Sequence, residues 1–298
     1  WKASRPKSGR GRKPKKRPPI EAKQQRSKRL GKGEKRTKKQ MAYVGAIYSI
    51  DRHVRTADDI LEEVNRRSCN ADRPQPRNKR LHAEMTRILE GELFQGIPRL
   101  FLQMAAESEQ RDPACEKPLV CLMDGQRSLW DTQAQWFERA VCILDLFHVM
   151  ERIWKAAYVF HAERSPEAQA FVDRYLRMLL EGKVGYVIGV WKRLLKTHHL
   201  KGNRRTTLLQ VIQYYENNAH YMRYDKYLAA GYPIGSGVIE GTCRYLVKDR
   251  MERTGMRWEI TGAQAMLDLR SVYFNGDWAD FLEDRIQREQ ETLYRQAA

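Results

Sequence analysis

The sequence predicts an α/β protein in which a small sheet precedes a long run of helices. Two short and wholly apolar segments, 119–123 and 141–144, have the length and composition of buried strands, and the segment between them, about 131–139, has a helical pattern. Two such strands joined by a helix are typical of a parallel β-α-β unit. From about 147 to 230 no segment has a strand pattern, and aromatic and aliphatic residues recur at helical spacing.

The segments before this unit are of mixed type. Residues 42–50 are rich in β-branched and aromatic side chains and predict a buried strand. Thr56 is a good N-cap for a helix over about 57–67. Prolines at 74 and 76 indicate a linker, and residues 78–111 predict one or two helices interrupted near 96–98.

The segments after the long helical stretch are again separated by glycine. The glycine-broken loop 231–237 ends the pattern, and Ser236 is a possible N-cap for a helix over about 238–252. Two more helices are expected over about 261–273 and 277–296. These boundaries divide the chain into 1–40, 41–148, 149–232 and 233–298.

The positive charge of the chain is concentrated in its first 40 residues. The 298 residues carry a formal net charge of +18, and residues 1–40 hold 18 Lys and Arg against two Glu, a net charge of +16. This segment has almost no apolar residues, so we expect an extended arm that binds polyanions without reading sequence, or that only keeps the protein soluble. The candidate phosphate-binding residues of the arm are Lys13, Lys15, Lys16, Arg17, Lys35, Arg36, Lys38 and Lys39.

Composition also excludes some kinds of site. No run of about 18 apolar residues exists, so no membrane-spanning helix is expected. The five cysteines include no CxxC pair, which argues against a structural zinc site, and Cys121 and Cys142 lie in apolar runs as expected for buried thiols. This cysteine usage fits a reducing cytoplasm.

Three acidic residues stand at the ends of predicted elements. Asp124 follows the 119–123 strand, where ligands bind in parallel sheets, although Asp-Gly is also a common turn. Asp145 follows the 141–144 strand and is equally well explained as the N-cap of the next helix. Glu240 lies in the first turn of its helix, where an acid by itself only offsets the helix dipole.

Basic and aromatic residues surround these acids in the sequence. His148 lies one turn after Asp145, where it is either a satisfied boundary residue or a group that orients a carboxylate or contacts phosphate. Lys248 and Arg250 follow Glu240 and are candidate DNA contacts. Trp130, Trp136 and Trp258 are either core residues or stacking surfaces for unpaired bases.

Carboxylates at the ends of separate elements suit an oxygen-only Mg²⁺ site. Two Mg²⁺ ions held by three carboxylates activate a water or a 3′-hydroxyl and stabilise both oxygens of an in-line phosphoryl displacement. The residue types fit this chemistry, but their spacing alone does not establish it.

A series of segments resembles the ISKra group of bacterial insertion-sequence transposases, which belong to the DDE class. The resemblance covers almost the whole chain in matching order. The segments are GEKRTKKQMAYVGAIYSIDRHVRT (33–56), RPQPRNKR (73–80), LVCLMDGQ (119–126), ILDLFHVMERIWKAAYVFH (143–161), LRMLLEGKVG (176–185), YMRYDKYLAAGYPIGSGVIEGTCRYLVKDRMERTGMRW (221–258) and GAQAMLDLRSVYFNGDW (262–278).

The resemblance implies an RNase H-like core interrupted by a large all-helical insertion before the final catalytic glutamate. By motif position Asp124 matches the second acid and Glu240 the third, both as ligands of Mg²⁺ or Mn²⁺, and Asp145 and His148 match a supporting segment. Such a core begins with three antiparallel strands, the first bearing the first Asp. Only one strand, 42–50, is predicted before the helical stretch, so the first acid is expected upstream of Trp1, with Asp51 as the substitute within the chain.

The expected function is therefore metal-dependent DNA cleavage and strand transfer at insertion-sequence ends. The alternative is a catalytically inactive, transposase-derived nucleic-acid-binding protein. The resemblance further implies a homo-oligomer on DNA, in the bacterial cytoplasm and associated with the nucleoid. A chain without the first acid is expected to be a poor nuclease by itself.

Overall fold

A computed structural model of the protein describes residues 40–65, 73–253, 256 and 258–297. It is a mixed α/β structure that is mostly helical; the described strands form three small sheets, and the described residues belong to one compact unit. The described strands are β1 (Ala42–Ser49), β2 (Arg77–Met85), β3 (Arg87–Leu89), β4 (Glu92–Phe94), β5 (Val120–Met123) and β6 (Val141–Leu144).

Helices make up most of the remaining described chain. They are α1 (Ala57–Val64), α2 (Gly96–Arg111), α3 (Arg127–Trp136), α4 (Leu146–Phe160), α5 (Pro166–Leu180), α6 (Val184–Thr197), α7 (Gly202–Asn218), α8 (Tyr224–Ala229), α9 (Gly237–Thr242), α10 (Asp249–Met251), α11 (Ile260–Asn275) and α12 (Trp278–Ala297). A 3₁₀ turn spans Ala219–Tyr221, and a π-helical turn, Cys243–Lys248, joins α9 to α10. None of the described helices is long and apolar enough to cross a membrane.

The parallel β-α-β unit predicted from the apolar segments is confirmed. β5 and β6 pair in parallel, with Cys121 opposite Cys142, and α3 connects them. β5 is only half-buried, contrary to the expectation of a fully buried strand, because no strand of the described chain pairs with its second edge. Burial still raises the pKa of both thiols, that of Cys121 to about 12, so neither is a reactive cysteine.

The prediction of helix over 78–95 is wrong. β2 pairs antiparallel with β1, and β3 and β4 form a short hairpin before α2 begins at Gly96. The residues of β2 include Leu, Ala, Glu and Met, which favour helices, but Leu81, Ala83 and Met85 all face one side and are buried there. Tertiary burial of this alternating face therefore overrides the local helix propensity.

Helices cover both faces of the β1–β2 sheet. Leu81, Ala83 and Met85 pack against Leu246 of the π-helical turn and Leu267 of α11. α2 packs on the other face and comes very close to the strands at its first residue. A Cβ on Gly96 would lie 3.0 Å from the Thr86 amide nitrogen and 2.9 Å from the Tyr43 ring, so only glycine fits there without displacement of backbone.

Side chains, rather than further strands, cover the outer edges of two sheets. On β2, Asn275 bonds both the amide and the carbonyl of Leu81, and Gln264 bonds the amide of Met85 and the carbonyl of Ala83. On β6, the Tyr224 hydroxyl donates to the Leu144 carbonyl and the Tyr227 hydroxyl donates to the Cys142 carbonyl. These side chains satisfy four backbone groups on the β2 edge and two carbonyls on the β6 edge.

The strand-free region predicted over 147–230 is confirmed as helices α4 to α8. Its core contains Ile153, Leu176, Trp191 and Tyr215, all fully buried, and the same cluster includes Ile143 and Leu144 of β6. The helical region and the parallel strands therefore share one hydrophobic core. The Thr56 N-cap is also confirmed, in a capping box with Asp59 that starts α1.

Candidate active site at the carboxyl edge of β5 and β6

Asp124 lies directly after β5, as predicted, and its side chain is exposed. One carboxylate oxygen accepts a hydrogen bond from the Gln126 amide at 2.8 Å, and Gly125 between them has φ +86°, so the Asp-Gly turn is real. The other carboxylate oxygen has no hydrogen-bond donor among the described residues. Asp124 can therefore form the turn with one carboxylate oxygen and still offer the other oxygen to a metal ion.

Asp145 is the N-cap of α4 and is 1% exposed. Oδ1 accepts from the Phe147 and Ser236 amides, each at 3.1 Å, and Oδ2 accepts from His148 Nδ1 at 2.8 Å and from the Ser236 hydroxyl. Burial by itself raises the pKa of this carboxyl, but the four hydrogen bonds outweigh burial and lower it. The carboxylate is therefore charged and fully engaged, which suits a supporting residue and leaves no lone pair for a metal.

His148 is held by Asp145 and remains partly open to solvent. The hydrogen bond from Nδ1 to Asp145 is the main cause of its raised pKa, and the Asp124 and Glu151 carboxylates add to it through space. Because Nδ1 is committed to Asp145, Nε2 is the nitrogen available to a ligand. His148 is therefore an oriented, readily protonated group near Asp124.

Two side chains of the helical region, Tyr214 beside Asp124 and Arg152 beside Tyr214, could not be predicted from the local sequence. The Tyr214 hydroxyl, from α7, donates to the Asp124 carbonyl at 3.0 Å, and the Arg152 guanidinium lies 4.7 Å from the centre of the Tyr214 ring. Arg152 Nε is buried and has no hydrogen-bond partner among the described residues. Burial raises the pKa of Tyr214 to about 12, so this hydroxyl is a donor at neutral pH.

The loop before Glu240 is fixed to the same edge from two sides. The Leu146 amide donates to the Ile234 carbonyl at 2.9 Å, next to the Ser236–Asp145 bonds. On the other side the His53 amide donates to the Gly231 carbonyl at 3.0 Å. The loop is thus anchored to α4 and to the segment after β1.

Glu240 follows Ser236 by one helical turn. Its amide donates to the Ser236 carbonyl at 3.0 Å, so it lies about 6 Å along the helix from the residue that binds Asp145. Its side chain is exposed, and no described side chain forms a hydrogen bond or ion pair with it. The helix predicted over 238–252 is confirmed as the continuous segment 237–251, and Glu240 is in its first turn.

A π-helical turn, Cys243–Lys248, begins three residues after Glu240 and interrupts the α-helical hydrogen bonding of this segment, which the sequence did not predict. Such turns are rare and often lie at functional sites. Arg270 of α11 donates to the carbonyls of Tyr245 and Leu246 within the turn. These hydrogen bonds satisfy carbonyls inside the widened turn and hold it in place.

Of the basic residues that are candidate nucleic-acid contacts, the structure describes only Lys248 and Arg250. Lys13, Lys15, Lys16, Arg17, Lys35, Arg36, Lys38 and Lys39 lie outside the described residues. Lys248 is exposed at the end of the π-helical turn, and the Arg250 guanidinium lies 5.6 Å from the centre of the Trp258 ring. Trp130 is buried and stacks on Tyr221 at 3.9 Å, so it is a core residue and not a base-stacking surface.

The described residues do not form a complete metal centre. They contain no group of three His, Cys, Asp or Glu that could hold an ion. Asp51, the substitute first acid, lies after β1 and forms an ion pair with Arg77 at 2.6 Å. The edge does combine an exposed carboxylate, an oriented histidine and an arginine with an unused buried donor.

Comparison of the chain with protein-family models, with curated proteins and with solved structures finds no match.

Proposed function

We propose that this chain carries the catalytic region of a DDE-type transposase that cleaves and joins DNA with divalent metal. The observation that carries the proposal is the position of Asp124 at the carboxyl end of a parallel strand, with Ser236 and Asp145 anchoring the start of the Glu240 helix to the same edge. Oxygen ligands on separate elements around one edge are suited to Mg²⁺ and to phosphoryl transfer.

Each residue has a distinct role in the proposal. Asp124 and Glu240 are the metal ligands, and their side chains are exposed as that role requires. Asp145 is a positioning residue whose four hydrogen bonds join His148 and the loop before Glu240 to α4. His148 and Arg152 supply positive charge for the phosphate group near the metals, and the resident ions would be Mg²⁺ or Mn²⁺ held by the two carboxylates.

The first acid of the triad is proposed to lie on a strand that precedes β1. The sequence predicted one strand before the Asp124 strand, but β1 and β2 both precede it as an antiparallel pair. In an RNase H-like order these two take the second and third places, so a single additional strand along the second edge of β1 completes the set. No strand of the described chain pairs with that edge.

Metal binding and catalysis should be tested in separate measurements. Strand transfer is assayed with Mn²⁺ on insertion-end DNA, using a chain that includes the proposed strand before β1. Asp124→Asn and Glu240→Gln should each reduce strand transfer by at least about a hundredfold while DNA binding is retained. Glu62→Gln on α1, an exposed glutamate, is the matched control and should leave the rate unchanged. Retained transfer in Glu240→Gln would remove Glu240 from the site.

The strongly basic arm, residues 1–40 with a net charge of +16, favours a second candidate function. A transposase-derived DNA-binding protein without catalysis would use the basic arm and would not need Asp124. Calorimetric titration of the chain with Mn²⁺ distinguishes the two. Binding that is lost in Asp124→Asn supports the catalytic proposal, whereas equal weak binding by both proteins supports the binding protein.

A further inference from the structure

The last helix, α12, projects an apolar stripe into solvent. It spans Trp278–Ala297, and between Trp278 and Arg295 every side chain except Phe281 is exposed. Leu282, Ile286 and Leu293 are 39%, 55% and 66% exposed. Single exposed aliphatic side chains are common on protein surfaces, but several that are contiguous on one helix mark an interaction surface.

These aliphatic residues lie on one side of the helix. At 3.6 residues per turn, positions 282, 286, 289 and 293 fall within about 60° of one another. Their spacing of four, three and four residues is that of a short two-helix seam. We call Leu282, Ile286, Glu289 and Leu293 the α12 seam.

The charge of α12 excludes polyanions as its partner. The helix contains five acidic residues and three arginines, a net charge of −2 in a chain of net charge +18. Nucleic acid and anionic lipid surfaces attract basic helices and repel this one. The basic arm, residues 1–40, matches the charge but has almost no apolar side chains to cover the seam.

A second copy of the same helix in antiparallel orientation fits the seam. We infer that α12 pairs with α12 of another chain, with Leu282 of each copy opposite Leu293 of the other. This register places Glu289 of each copy opposite Ile286 of the other, and Arg285, next to Ile286 in sequence, lies beside that same Glu289, twice, across the centre of the pair. Within each helix Arg285 Nε already lies 3.1 Å from Glu289 Oε1, so the four groups form one neutral cluster.

The parallel arrangement is disfavoured by the same charges. It would place Glu289 against Glu289 within the seam and would align the acidic first two turns, 278–284, which hold Asp280, Glu283 and Asp284 and no basic residue. Like charges directly opposite each other destabilise a two-helix seam, and opposite charges specify its orientation. The inference concerns association of the chains and is independent of the proposed catalysis.

The test is the dimer dissociation constant of the full chain, measured by sedimentation equilibrium in about 0.5 M salt after nuclease treatment. Salt and nuclease remove association bridged by nucleic acid on the arm. Ile286→Asp should raise the dissociation constant at least about thirtyfold, because it puts a charge into the seam. Gln287→Asp is the matched control, since it adds the same charge on the opposite side of α12 and should change the constant less than about threefold.

Orientation is tested by charge reversal in the same measurement. Arg285→Glu should weaken the dimer about tenfold or more, and adding Glu289→Arg should restore it to within about threefold of the original, because the exchanged pair is again neutral across the seam. Far-UV circular dichroism confirms that each variant is folded. A wild-type chain that is monomeric at 100 μM, or equal effects of Ile286→Asp and Gln287→Asp, would overturn the inference, as would failure of the double variant to recover.

Discussion

Replacement of Asp145 by Asn measures how strongly this buried carboxylate holds the candidate site together. Asn is as good an N-cap as Asp and keeps Oδ1, so the bonds from the Phe147 and Ser236 amides persist. It converts Oδ2 into a donor and removes the acceptor of His148 Nδ1 and of the Ser236 hydroxyl. Two lost bonds to a charged group at about 1.5 kcal/mol each predict a loss of about 3 kcal/mol in the free energy of unfolding.

The assay is urea unfolding at neutral pH, followed by far-UV circular dichroism. Ser236→Ala removes one of the two bonds and should cost about 1.5 kcal/mol in the wild-type chain. In the Asp145→Asn background the same substitution should cost about half as much or less, because the Ser236 hydroxyl then has only a neutral amide as its partner. A loss below about 1 kcal/mol in Asp145→Asn, or equal costs of Ser236→Ala in both backgrounds, would refute the role of Asp145 as a shared acceptor.

Two further predictions concern pH and packing. The pKa of His148 is raised, chiefly by its bond to Asp145, so the stabilisation from protonated His148 is complete below the unfolded pKa of about 6.5 and is lost as pH rises through the folded pKa. The urea concentration at the midpoint of unfolding should therefore decrease between about pH 6 and pH 9. His148→Gln should make this decrease smaller, and His199→Asn should leave it unchanged. Gly96→Ala should lower the free energy of unfolding by about 1–3 kcal/mol, because its Cβ would meet the backbone of Met85 and Thr86. Gly189→Ala, inside α6 with open space around it, should raise it by about 0.5–1 kcal/mol, and a shared sign in the two glycine variants would contradict this account.

The local sequence pattern was sufficient to predict those elements whose burial does not depend on distant parts of the chain. The apolar segments around Cys121 and Cys142 predicted two parallel strands, and glycines around Ser236 predicted the break before the Glu240 helix. It failed at β2, where burial of alternate residues depends on α11, which lies far along the chain. When a segment consists of helix-forming residues, the burial of every second side chain cannot be predicted without knowing which element packs against it.

The candidate site was predicted in part for the same reason. Asp124 and Asp145 follow directly from the strand ends, and Asp145 is the N-cap that the sequence predicted as one alternative and also accepts hydrogen bonds from His148 and Ser236. Tyr214 and Arg152 were missed because they lie on other elements: Tyr214 bonds the Asp124 carbonyl across 90 residues of sequence, and Arg152 packs on the Tyr214 ring. Only the folded chain shows that a tyrosine and an arginine of the helical region border the carboxyl edge of the sheet.

The side chains that cover the outer edge of β2 impose an order on synthesis of the chain. During synthesis the amide and carbonyl of Leu81 cannot form their bonds to Asn275 until Asn275, 194 residues later, has left the ribosome. At about 5–20 residues per second a ribosome needs about 10–40 s to add that length. Throughout this interval the nascent chain carries an uncovered β-edge beside an apolar face, which is the kind of surface that chaperones bind and that drives aggregation. Yield of folded protein should therefore depend on translation speed and on early termination more than its stability alone would indicate.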